Sequence, residues 1–147
     1  MRSFMFAALG LFACSAVNAQ EFKKEYIAPN EAEASSTAVK VKGGTLVFLA
    51  GFTASAPQRD AELGNFETQA KSAMGKISDA LKQSGATLDD IVQLSVYVTD
   101  LRNVPKFTAY AKTLFKPGSY PAVTFVEVAH LARPESLMEI QPVAAIK

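Results

Sequence analysis

One cysteine and one histidine are all the thiol and imidazole in this chain of 147 residues. A lone cysteine excludes a disulfide framework and a cysteine-based zinc site. A lone histidine excludes a histidine-rich metal site and leaves Ser-His or Cys-His schemes without support. Excess charge is missing as well: fifteen Lys+Arg stand against fourteen Asp+Glu, a net charge of +1. Nucleic-acid surfaces need clustered positive charge to displace counterions from phosphates, so this balance argues against that class of partner. No phosphate-cradling glycine loop occurs either, since Gly75-Lys76 lacks the upstream glycine and falls inside a helical pattern. The residues call for no metal and no cofactor. What the chain does have is apolar mass. With 49% hydrophobic and 20% charged residues it can bury a core, and its length suits one domain.

The first nineteen residues read as a secretory signal. Arg2 supplies a positive start, Phe4 to Val17 is almost wholly apolar, and Val17-Asn18-Ala19 ends in a small-residue cleavage pattern. The run is too short to cross a bilayer core of about 30 Å as a helix. Leu11-Phe12-Ala13-Cys14 only loosely matches a lipid-attachment motif, because Phe12 is bulky where a small residue is wanted. Cleavage after Ala19 would remove Arg2 and Cys14, leaving fourteen basic and fourteen acidic residues and no thiol. The expected location is periplasmic or secreted, with no later membrane span.

Residues 20–35 are polar and mixed and read as a loose N-terminal arm before a domain over 36–147. Val39 and Val41 alternate with Lys40 and Lys42 as in a half-buried strand, and Lys42-Gly43-Gly44-Thr45 reads as a hairpin turn. Leu46 to Ala50 predicts a second, more buried strand, and Gly51 to Leu63 a loop. Asn65 caps a helix whose apolar stripe is Phe66, Ala70, Ala73, Met74, Ile77, Ala80 and Leu81, and Gly85 ends it. Val92, Leu94, Val96 and Val98 alternate with polar neighbours in a third strand. Asn103 and Pro105 open a second helix over Phe107, Tyr110, Ala111, Leu114 and Phe115. Ala122 to Val128 and Leu137 to Ile146 are the last strands. The order β-β-α-β-α-β-β predicts an α+β domain with one layer of helices on one face of a mixed sheet. The other face then needs covering, which predicts a homo-oligomer with sheets packed on sheets.

Chemistry is sparse. His130 reads as a surface or hydrogen-bonded residue, and Asp89 and Asp90 as caps at a strand start. Glu127 and Glu139 lie inside apolar strands, where a carboxylate must be paired, face an interface or line a cleft.

Four segments together resemble the RidA (YjgF) family of reactive-intermediate deaminases. They are Leu46 to Gly51; Ser84-Gly85-Ala86 with Asp89-Asp90-Ile91-Val92; Ser95 to Leu101; and Tyr120-Pro121-Ala122 running through Val126-Glu127-Val128-Ala129 to Met138-Glu139-Ile140. The resemblance implies a chorismate-mutase-like fold, a homotrimer with a central barrel, and small-molecule clefts between subunits. In the family's deaminases water hydrolyses a 2-aminoacrylate-type imine or enamine to a 2-oxo acid and ammonia. An arginine after the Pro-Ala pair clamps the substrate carboxylate, and a glutamate in the last strand serves the water. Carried over by position, that glutamate is Glu139, and the ligand-binding positions are Thr37, Ala50, Gly51, Thr108, Val123 and Phe125. Only Gly51 and Glu139 keep the family's type. Val123 stands where the arginine belongs, and losing such a charge-assisted bond typically costs a few kcal/mol. A replacement cation would have to come from Arg59, Arg102 or Arg133.

Three readings follow. The first is an exported trimer that binds a small, more apolar ligand with little or no imine deaminase activity. The second is a 2-iminobutanoate/2-iminopropanoate deaminase-type hydrolase with altered recognition. The third is a non-enzymatic interaction trimer.

Overall fold

The computed structural model describes residues 21–54 and 65–147. The expected signal segment, the predicted mature end at Gln20 and Arg59 lie outside them. Among the described residues six strands and two helices run β1 (Lys23–Asn30), β2 (Ser35–Lys42), β3 (Thr45–Phe48), α1 (Phe66–Gln83), β4 (Ile91–Val98), α2 (Val104–Leu114), β5 (Ala122–Glu127) and β6 (Met138–Ile146). No described helix is long and apolar enough to cross a membrane. The α+β architecture with a mixed sheet is as the periodicities predict.

The helices form where their end signals stand. Asn65 Oδ1 accepts the Thr68 N–H at 2.9 Å, and the chain leaves α1 through Gly85 at φ +75°. From α1 the side chains Phe66, Ala70, Ala73, Met74, Ile77 and Leu81 enter the core, whereas Ala80 stays half-exposed. Pro105 sits in the first turn of α2, which buries Phe107 and Ala111.

Four strands make the main sheet in the order β3-β6-β4-β5, with β4 and β5 parallel and the other pairs antiparallel. One face is covered by the helices: Leu94, Val96, Met138 and Ile140 are fully buried. Burying side chains of that size stabilises by about 1.5–3 kcal/mol each. The other face carries Leu46, Phe48, Tyr97, Val126, Glu139 and Gln141. It is largely open, Phe48 being 75% exposed.

Three expectations need correction. The arm over 20–35 is not loose, because Lys23–Asn30 is a strand that pairs antiparallel with β2. Its polar composition reflects a two-stranded ribbon with little buried surface. Next, the chain does turn at Gly43 and Gly44 (φ +67° and +73°), yet β2 and β3 do not pair; they belong to different sheets. Finally, β3 ends at Phe48 and is not the more buried strand, since Leu46 and Phe48 face outward.

The ribbon docks on the chain leading into β5. Ser36 Oγ donates to the Tyr120 carbonyl at 2.6 Å, and the Ser36 N–H donates to the Pro121 carbonyl at 3.0 Å. Glu31 accepts from Tyr120 Oη at 2.7 Å and from the Gly118 N–H at 2.9 Å. Lys24 Nζ reaches Asp90 at 3.0 Å. These bonds cover the start of an edge strand that would otherwise present unpaired backbone.

Candidate functional site

Glu139 is set in place by backbone on both sides. It pairs with Tyr97 across the β4–β6 ladder, which puts both side chains on the open face. On its other side, Phe52 and Ile140 exchange backbone hydrogen bonds of 2.9 and 3.0 Å. Between Phe48↔Val143 and Phe52↔Ile140 the register slips by one residue, a bulge that carries Ala50 and Gly51. Gly51 therefore meets the Glu139 side chain directly. A Cβ there would collide with Oε1 and lie 2.8 Å from Cδ, so only glycine allows this approach.

The segment entering β6 is braced from α1. Gln69 is 2% exposed; its amide donates to the Glu135 carbonyl at 3.1 Å and accepts the Leu137 N–H at 2.9 Å. Lys76 Nζ donates to the Thr53 carbonyl at 3.0 Å and ties the stretch after Gly51 to the same helix. Burial, and secondarily the charge of Arg133, hold the Lys76 amine below the ordinary lysine value.

Gly51, Tyr97, His130, Leu131, Ala132, Glu139 and Gln141 together line a polar cleft of about 350 Å³. The cleft can hold a water or a small molecule against the Glu139 carboxylate. No group of residues suited to holding a metal ion occurs among the described residues.

The other positions carried over from the resemblance lie elsewhere. Val123 and Phe125 pair with Leu94 and Val96, so they point toward the helices. Phe125 meets Phe107 of α2 edge-on, with ring centroids 5.7 Å apart. Thr108 follows Phe107 on α2, and Thr37 is exposed on β2 beside the start of β5. Within one chain, then, Gly51 and Glu139 come together with Ala50 next to them. Val123, Phe125, Thr108 and Thr37 do not join them.

Of the substitute cations, Arg102 is committed to Asp100 at 2.7 Å in an exposed pair. Arg133 follows the lining residue Ala132, and among the described residues no carboxylate pairs with it. Glu127 is structural, its Oε2 accepting the Leu101 N–H at 3.0 Å. Asp90 closes a capping box with Thr87, and Asp89 pairs with Lys116 at 2.6 Å. Tyr97, His130 and Gln141 were not singled out as site residues in the sequence. Strand alternation marks Tyr97 and Gln141 as outward-facing, but only the register shows that they flank Glu139.

Residues 25–146 match the family model described as endoribonuclease L-PSP. The chain belongs to the RidA/YjgF family. A RutC family protein of Pyrococcus abyssi is 31% identical over 118 residues, 80% of this chain and 90% of that protein. TdcF of Escherichia coli, whose name provisionally describes it as a reactive intermediate deaminase, is 26% identical over 69% of this chain and 79% of its own. Among solved structures, the Rid family protein YyfB of Yersinia pestis superposes with a TM-score of 0.72 at 24% identity, covering 87% of this chain and 99% of that one. For this RidA/YjgF member the fold and the Gly51–Glu139 contact therefore stand together, with valine at the position after Pro121-Ala122.

Proposed function

We propose that this protein is an exported RidA-family trimer that holds a small ligand at Glu139 and has weak or no classical imine deaminase activity. One observation carries the reading. The described lining of the Glu139 cleft contains no arginine or lysine, and the residue at the clamp position is a valine packed toward the helices. Assembly is part of the proposal. Val123 and Glu139 lie on opposite faces of one sheet, so a single cleft can hold both only if two copies contribute to it. Phe48, Leu46 and Val126 supply outward apolar surface for such packing. Export rests on the N-terminal signal pattern.

Deaminase chemistry with altered recognition is the second reading, favoured by the retained Gly51–Glu139 contact and by the name of TdcF. Balanced charge over residues 20–147 gives no positive field for a polyanion, so imine chemistry is carried forward ahead of RNA cleavage. The test is 2-oxo acid release from freshly generated 2-aminoacrylate and 2-iminobutyrate by the purified protein. Turnover near background is expected. A kcat of about 1 per second or more would overturn the first reading in favour of the second.

A further inference from the structure

Binding any small carboxylate at Glu139 poses an electrostatic problem. The polar members of the described lining are Tyr97, His130, Glu139 and Gln141. Glu139 alone makes the cleft repel anions, Tyr97 and Gln141 are neutral partners, and His130 is the member able to become a cation. Its place follows from the fold. The Val128 N–H donates to the Val98 carbonyl at 2.9 Å, which holds the chain after β5 beside the end of β4, next to Tyr97. Two residues later His130 borders the same cleft as Glu139.

We propose that His130 is the anion-binding residue of this cleft: its imidazolium takes the carboxylate of a small dipolar acid whose cationic nitrogen faces Glu139. The ligand class is the 2-imino or 2-amino acid. This rests on the reading of the Glu139 cleft as a ligand site, and it places the carboxylate contact on a different side chain from the missing arginine. The titratable and charged groups around His130 are Tyr97 from β4, Glu139 from β6 and Arg133 on its own segment, with Lys76 of α1 reaching Thr53 nearby.

His130 is the protein's single histidine, so its ring Cε1–H resonance is assignable without ambiguity. The probe is 2-oxobutyrate, titrated into the purified protein and followed by NMR at that resonance and at the Gly51 and Tyr97 amides. All three are expected to move. His130→Asn should weaken binding, while Glu139→Gln should tighten it by removing the repelling charge. Two substitutions with opposite signs distinguish this from a merely structural role. Movement of the Gly51 and Tyr97 amides with a silent His130 ring, or an affinity unchanged in His130→Asn, overturns the His130 assignment and leaves the cleft standing. No shift at any of the three under saturating probe overturns both.

Discussion

The two faces of the main sheet obey different rules. On the covered face Leu94, Val96, Met138 and Ile140 are fully buried under α1 and α2, and the charged Glu127 comes only at the exposed end of β5. On the open face Tyr97, Glu139 and Gln141 alternate with those residues along the same strands, beside a 75% exposed Phe48. Buried apolar packing resides on one face and the candidate site on the other. Strand alternation lets a single stretch, Met138-Glu139-Ile140, serve both: its flanking residues anchor the strand while the middle one stays available to a ligand.

The largest effect should come from breaking the covered face. Leu94→Ala removes a fully buried side chain and leaves a cavity, so urea unfolding should show a loss of about 2–5 kcal/mol. A loss well under 1 kcal/mol would mean the two faces are not energetically distinct. Next comes the open face. Phe48→Glu should leave the circular dichroism spectrum and the fold intact but shift sedimentation from trimer to monomer, because it places charge where copies are proposed to pack. Unchanged assembly would remove Phe48 from the interface.

The smallest effect sharpens the comparison at the ribbon, which belongs to neither face. Burial alone pushes the Asp90 carboxyl up. Hydrogen bonds from Lys24 and from the Thr87 backbone and hydroxyl, with the Lys24 charge, outweigh it and hold the carboxyl below its usual value. A depressed carboxylate contributes stability that is fully present above its unfolded pKa of about 4 and is lost as pH falls through the folded value. Asp90→Asn should therefore lower Tm at pH 7 and flatten the acid limb of the Tm-against-pH curve. Parallel curves for the two proteins would show that the Lys24–Asp90 contact contributes nothing to docking.

Legibility followed the range of the interactions. Both helices, their Asn65 and Gly85 ends, and the alternation of β4 could be read directly, because capping and amphipathic period involve neighbours within a few residues. Glu139 could be flagged by the oddity of a carboxylate in an apolar strand, and Gly51 by resemblance. Gln69 escaped notice, since a glutamine on a helix gives no sign that two distant backbone groups will bind it. His130 reads as a surface residue and is exposed in the fold, and only the tertiary structure shows that it borders the same cleft as Glu139.

The amino-acid order by itself determined the α+β class, the helix positions, the apolar stripe of each helix and the RidA/YjgF membership. Tertiary structure alone decided that the polar stretch 23–30 is a strand, that β2 and β3 part company at their glycine turn, and that Val123 faces the helices while Glu139 faces out. The physical reason is register. A strand's alternation fixes which residues share a face, but only its hydrogen-bonded partner and the layer packed against it decide which face is buried.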